Sequence, residues 1–281
     1  MPHDLRGRRR WAQVMPVRRL PAVCVEMDYT AVTEVPEGRV TSEALAMMYT
    51  RYVYAASLCA GKEVLEVACG AGQGLGYLAS KAGRVVGGDY TQGLLRQARR
   101  HYGLRMPLVR LDAHALPFVG QSFDVVILFE AIYYLARPEK FLDECRRVLR
   151  GEGLVLICTV NKEWSDFSPS PLSSRYVTTV ELRELMAGRG FKIELYAAFP
   201  VSRDSARDRI ASFIKRAAIR LHLIPETMKG KEILKRFFFG TLAPIPAEIT
   251  DGMAEAYPCV PITGNSVMSD YKVLYVIGRT Q

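Results

Sequence analysis

Between residues 63 and 160 five strand-length apolar runs alternate with helical or glycine-punctuated stretches, and few folds accommodate that rhythm. The runs at 63–69, 84–89, 108–111, 123–129 (FDVVILF) and 154–160 (LVLICTV) are nearly continuously apolar. Such runs mark strands covered on both faces, as in parallel sheets. The stretches between them read as helices: 72–81, entered through glycines; 91–102, with Thr91 as its cap; and 138–150, with Pro138 in the first turn and Gly151 just past the end. A further helix is predicted over 41–60, with Leu45, Met48, Tyr52, Ala55, Ala56 and Cys59 at helical spacing, Thr41 or Ser42 as cap and Gly61 as its stop. Thr178 and Glu181 form a capping box for a helix that stops at Gly188 or Gly190, and 191–198 and 271–278 are the sixth and seventh strands. The pattern predicts an α/β fold with a mostly parallel sheet, helices on both faces, and ligands at the carboxyl ends of the strands.

Two regions depart from the rhythm. About 70 residues, ~200–270, separate the sixth strand from the seventh, too many for a simple connection. Within them a basic helical pattern, 206–223, carries Ile210, Phe213, Ile214, Ala217 and Leu221 on one face, and the basic stretch 229–239 follows. We read 200–270 as an inserted cap over the acceptor site, with 206–239 able to meet a membrane surface peripherally. The second region is the front, where Arg6, Arg8, Arg9, Arg10, Arg18 and Arg19 precede no apolar run and prolines interrupt the segment. Residues 1–26 are expected to be a disordered basic leader and 27–281 a single domain.

The chain has 281 residues and a net charge of +9, a balance that attracts anionic partners without choosing among nucleic acid, lipid and phosphorylated substrates. Apolar content of 49% supports a sizeable core, and no apolar run approaches the ~18 residues of a spanning helix. The six cysteines, at 24, 59, 69, 145, 158 and 259, form no C-x-x-C pair and have no histidine at ligand spacing. They read as reduced thiols of a cytoplasmic protein, and no metal site is predicted.

Three strand ends carry chemistry. The first strand runs into V-L-E-V-A-C-G-A-G-Q-G, residues 64–74, where Gly70 and Gly72 let backbone approach a ligand closely. A dinucleotide fingerprint fails because Leu75 or Tyr77 stands where its third glycine is needed, and no Gly-Lys-Ser/Thr makes a phosphate loop. Glu66, two residues before the loop, would repel a pyrophosphate and suits a ligand bearing a positive amine. Asp89 ends the second strand 23 residues later, where an acid accepts from ribose hydroxyls. Asp112, after the third strand, can accept from an adenine amino group, with the Ala113 N–H donating to a ring nitrogen.

These residues resemble the class I S-adenosylmethionine-dependent methyltransferases, over roughly 41–200 plus the last strand. The motifs that carry the likeness are E-V-A-C-G-A-G (66–72), G-G-D-Y (87–90), D-A-H-A-L-P-F (112–118) and F-D-V-V-I-L-F-E-A (123–131), closest to small-molecule members with D-A-x-x-L-P-F. Ala68 departs from the family's usual glycine. The resemblance implies a Rossmann-like seven-stranded sheet, mostly parallel with its last strand antiparallel, and an N-terminal helical cover. It implies S-adenosylmethionine as cofactor: Glu66 and the Ala68 and Gly70 backbone at the methionine end, Asp89 at the ribose, Asp112 and Ala113 at the adenine, and Phe129 beside the methionine carboxylate, with Gly72 and Tyr90 as further cofactor-binding residues. The helix M-Y-T-R-Y-V-Y-A-A (48–56) resembles the one preceding the glycine loop in sugar- and natural-product-type members, which makes Arg51 and Tyr52 candidates to close over the cofactor.

Methyl transfer from a sulfonium is driven mainly by proximity and alignment, although a hydroxyl or amine acceptor can use a general base. Glu130, just past the fourth strand, is the candidate base, with Tyr134 as an orienter. The expected activity is methylation of a small molecule, at oxygen in preference to nitrogen or carbon, on a sugar, natural product or lipid-linked acceptor. The alternatives are RNA methylation, for which no RNA-binding module is recognisable, and a non-catalytic S-adenosylmethionine-binding or membrane-associated accessory role.

Overall fold

The computed structural model describes residues 27–201, 242–263 and 269–280. The leader 1–26 and the basic stretch 206–239, with Phe213 and Phe238, lie outside the described residues.

In chain order the elements are β1 (Arg39–Val40), α1 (Ser42–Leu58), β2 (Glu63–Val67), α2 (Leu75–Ala79), β3 (Arg84–Asp89), α3 (Gln92–Tyr102), β4 (Leu108–Arg110) and β5 (Phe123–Phe129). They continue with α4 (Pro138–Val148), β6 (Leu149–Val160), α5 (Thr179–Ala187), β7 (Lys192–Pro200), β8 (Ala243–Pro244), β9 (Val260–Pro261) and β10 (Tyr271–Arg279). The main sheet runs β4-β3-β2-β5-β6-β10-β7-β9. The neighbours from β4 to β6 are parallel, and β10 is antiparallel to both β6 and β7. The Rossmann-like plan is as expected, but the sheet has eight strands. The eighth, β9, adds two residues to the β7 edge, a pairing too short for any hydrophobic period to announce.

Alternate residues of each central strand feed two cores. Val64, Val85, Val125 and Ile127 pack with α1 and α2 on one face; Leu65, Val86, Val126 and Leu128 pack with α4 and α5 on the other. This two-sided burial explains the unbroken apolar runs. The Thr41 hydroxyl caps α1 by accepting from the Ala44 N–H, and the Thr178–Glu181 capping box forms as read. Two boundaries move. Helix α4 ends at Val148, because Leu149 already pairs with Phe123 across the sheet. Thr91 makes no side-chain cap for α3; its hydroxyl accepts from the Tyr29 N–H.

The described part of the 200–270 segment, 242–263, packs along the outer helices. Ile245 and Ile249 are buried in the α1–α2 core, β8 pairs with β1, and Asp251 accepts from the Tyr77 hydroxyl at 2.8 Å. Its Glu248 meets His101 at 2.7 Å, giving that histidine a partner the sequence did not suggest. Among the described residues, none from 242–263 lines the cavity at the strand ends.

Candidate active site

A cavity of about 700 Å³ opens at the carboxyl ends of β2, β3, β4 and β5, roofed by α1 and by residues 27–34. Its floor is the β2–α2 turn. The backbone there turns through left-handed conformations at Ala68 (φ 59°), Gly70 (φ 58°) and Gly72 (φ 84°). Glycine adopts this region without strain and alanine does not, so Ala68 is a strained position. Asp89 anchors the turn: one carboxylate oxygen accepts the Gly70 N–H at 2.9 Å and the other the Thr91 N–H at 2.7 Å. The Thr91 hydroxyl and the Tyr90 N–H bond the same carboxylate. From α3, the Tyr102 hydroxyl donates to the Gly72 carbonyl and accepts from the Gly76 N–H.

Of the residues read from the sequence, Glu66, Ala68, Gly70, Asp89, Tyr90, Asp112, Ala113, Phe129, Glu130, Arg51 and Tyr52 all lie on the cavity wall. Gly72 does not. A side chain there would meet Ala98, Leu75 and Tyr102, so its lack of Cβ serves packing of the turn against α3.

Glu66 is 1% exposed. The Tyr52 hydroxyl donates to Glu66 Oε1 at 2.6 Å, while Glu66 Oε2 is buried with no hydrogen-bond partner. Burial lifts the Glu66 carboxyl to about 7, against the opposing influence of the Tyr52 bond and the Arg51 charge. Tyr52 therefore touches Glu66, and it does so only because Gly74 has no side chain; a Cβ there would fall 1.8 Å from the Tyr52 ring. Arg51 pairs with Glu34 at 3.4 Å, and its buried Nε has no partner. Burial opposes its charge, but Glu34 and Glu130 outweigh that effect and hold the guanidinium firmly protonated. Glu66 and Arg51, which both line the cavity, thus each leave one buried polar atom unpaired.

Asp112 takes both the backbone N–H and the ring Nδ1 of His114, at 2.8 and 2.7 Å. These bonds, the side-chain one foremost, hold its carboxyl below the ordinary range. His114 Nε2 accepts from the Arg137 N–H, which assigns the ring proton to Nδ1. Across the cavity Glu130 sits at φ 49°, one residue past β5. It accepts from the Tyr133 hydroxyl at 3.1 Å and the Val160 N–H at 3.3 Å. Burial pushes its carboxyl up, with Arg51 pulling the other way. The Tyr134 hydroxyl is turned instead toward Ser170 at 2.6 Å.

Sequence reasoning missed a second set. Tyr29 packs between Tyr90 and Tyr134, Glu34 pairs with Arg51, and its carbonyl accepts from the Gln73 amide at 2.6 Å. Trp164 and Lys272 close the far end, the ammonium 5.4 Å from the indole centroid. Only Gln73, inside the glycine motif, had a local signal. The others reach the site from loops and from a strand more than 100 residues away.

The donor set fits S-adenosylmethionine. An unpaired carboxylate oxygen suits its ammonium, an unpaired guanidinium N–H suits its carboxylate, and the acids at the ends of the next two strands, Asp89 and Asp112, suit its nucleoside hydroxyl and amino groups. Residues 65–157 match the family model described as a methyltransferase domain. A Mycolicibacterium smegmatis protein named "Probable S-adenosylmethionine-dependent methyltransferase" is 36% identical over 149 residues, which span 51% of this chain and 57% of that protein. The chain therefore spans little more than half the length of that relative. A Mycobacterium ulcerans protein named "Probable phthiotriol/phenolphthiotriol dimycocerosates methyltransferase 2" is 33% identical over 183 residues, 60% of this chain and 66% of that one. A solved Thermotoga maritima structure, described as a S-adenosylmethionine-dependent methyltransferase and "possible histamine N-methyltransferase", matches with a TM-score of 0.54 at 16% identity. It covers 84% of this chain and 92% of that one, a likeness of fold.

Proposed function

We propose that this chain, which belongs to the class I S-adenosylmethionine-dependent methyltransferases, methylates a hydroxyl group on a small-molecule acceptor. The observation that carries the reading is the orphan Glu66 Oε2 beside a left-handed glycine turn, in one cavity with Asp89, Asp112 and Arg51. When bound, S-adenosylmethionine supplies a methyl group on a positively charged sulfur, an electrophile that needs no further activation.

The chain's residues do the rest. Glu66, oriented by Tyr52, receives the ammonium; Arg51 receives the carboxylate; Asp89 holds the ribose hydroxyls; Asp112, oriented by His114, accepts from the adenine amine beside the Ala113 N–H. Phe129 and Tyr90 supply apolar wall. Glu130 accepts the acceptor's proton. Its raised affinity for protons supports that role, because a carboxyl tuned upward is a better base near neutrality. Tyr133 and the Val160 N–H position its carboxylate.

A small acceptor is supported by the lining, which among the described residues carries five carboxylates (Glu34, Glu66, Asp89, Asp112, Glu130) against two cations (Arg51, Lys272). A wall of that sign opposes a phosphate backbone. The name of the Mycobacterium ulcerans relative also points to a small-molecule acceptor. The described residues contain no helix long and apolar enough to cross a membrane, and we propose a cytoplasmic location. Binding of 206–239 to a membrane surface, and its service as a cap on the acceptor site, remain proposals about residues outside those described.

The test is a labelled-methyl assay against extract fractions of lipids, small molecules and RNA, with calorimetric titration of S-adenosylmethionine alongside. Label in a small-molecule or lipid fraction is expected. Label in RNA alone overturns the acceptor reading, and absence of cofactor binding overturns the whole.

A further inference from the structure

The lining of this one cavity continues past the residues assigned to the cofactor, and we treat the remainder as its acceptor compartment. Met47 and Met48 of α1, Cys158 and Val160 of β6, Trp164, and Val273 of β10 line it. Its far wall is a fixed structure. The Asn161 side chain donates to the Tyr271 carbonyl at 2.8 Å, its N–H donates to the Lys272 carbonyl at 2.8 Å, and the Trp164 N–H turns back onto the Asn161 carbonyl. The indole is thereby set against the start of β10, with Lys272 over its face and Glu43 of α1 paired to that lysine.

The electrostatics of this compartment are distinctive in a chain of net charge +9. Both cations on the wall are engaged once the cofactor is in place: Lys272 meets Glu43, and Arg51, beside Glu34 and Glu130, is the residue assigned to the cofactor's carboxylate. A phosphate or carboxylate on the acceptor would find no free cation among the described lining residues and would face Glu130. Burying an anion without such a cation is strongly unfavourable. An apolar body with a neutral hydroxyl carries no such cost. It can stack on Trp164, fill the methionine and valine surface, and donate its hydroxyl to Glu130.

We infer that the part of the cavity between Met47, Trp164, Val273 and Glu130 binds an uncharged, largely apolar acceptor bearing a hydroxyl, with a phenol as the simplest case, and discriminates against phosphorylated and carboxylated molecules. The inference rests on the reading of the neighbouring compartment as the cofactor site. It makes Trp164 and Glu130 the residues that set specificity, one through stacking and one through the hydroxyl.

The test uses the full chain saturated with S-adenosylhomocysteine and three probes that share an apolar body: 4-butylphenol, 4-butylphenyl phosphate and 4-butylbenzoate. Calorimetry reads affinity. Fluorescence of Trp164, in a Trp11→Phe background that leaves it the single tryptophan, reads the place of binding. The phenol is expected to bind and quench Trp164, with both charged probes about tenfold weaker or more, the scale of one unsatisfied charged contact. Trp164→Ala is expected to weaken the phenol about tenfold while S-adenosylhomocysteine affinity holds. Equal or tighter binding of either charged probe overturns the inference, and so does failure of all three probes with S-adenosylhomocysteine bound. If S-adenosylhomocysteine itself does not bind, the cofactor reading fails instead.

Discussion

Glu66 concentrates the residue-scale physics of the site. Its folded-state pKa, about 7, lies above the ordinary 4.5 because burial disfavours the charge. The folded protein therefore holds a proton there, between about 4.5 and 7, that the unfolded chain has released. By linkage this contribution favours folding at low pH and is lost as pH rises through that window, levelling off above it. Cofactor affinity runs the other way, since an ammonium needs the carboxylate. Titrations should show S-adenosylmethionine binding tightening as pH rises through about 7, and Glu66→Gln should flatten that profile. Tyr52→Phe removes a bond that stabilises the carboxylate, so it should move the profile upward and weaken binding near neutrality by about 1–2 kcal/mol. An unchanged profile in Tyr52→Phe would remove the positioning role. Ala68 offers a simpler case. At φ 59° a glycine relieves left-handed strain, so Ala68→Gly should raise stability in urea melts by about 1 kcal/mol.

At the scale of elements, the glycine turn is held from both sides, and the two supports fail differently. From α3, the Tyr102 hydroxyl bridges Gly72 and Gly76. Tyr102→Phe leaves the Gly76 N–H without that partner, while the Gly72 carbonyl keeps the Leu75 N–H, and it should cost about 1–3 kcal/mol in chemical denaturation and weaken cofactor affinity with it. From α1, Tyr52 occupies the space a Gly74 side chain would need. Gly74→Ala must push the ring off Glu66, and it should lower cofactor affinity more than Tyr52→Phe does, because it displaces the whole ring rather than one hydroxyl. The His101–Glu248 contact is half-exposed, and Glu248→Ala should change the melting midpoint by less than about 1 kcal/mol equivalent.

Across the whole molecule, the last strand closes the architecture. β10 lies between β6 and β7 with Val273–Ile277 all buried, each pairing on both sides. Ending the chain at Asp270 would expose two strand edges and both cores. That variant should show no cooperative thermal transition and no protection by S-adenosylhomocysteine; a normal melt would mean that the parallel half folds alone. Lys272, from the same strand, also forms one end of the cavity, so the element that completes the sheet completes the candidate site.

Local sequence determined the parts of this protein that repeat a period or occupy a strand end. The apolar runs marked strands covered on both faces, the glycine motif marked the turn, and Glu66, Asp89, Asp112 and Glu130 stood out as acids within, ending or just past an apolar run. Tertiary structure decided what those residues touch. Gly72 looked like a ligand contact and serves packing against α3; Tyr52 looked like a lid and touches a carboxylate; Tyr29, Glu34, Trp164 and Lys272 carried no local signal. The physical reason is the range of the interactions. Backbone periodicity and turn chemistry act within a few residues, so composition and spacing encode them. The burial that lifts Glu66, the carboxylates that neutralise Arg51 and Lys272, and the pairing of β9 exist only when segments far apart in the chain are brought within a few ångströms.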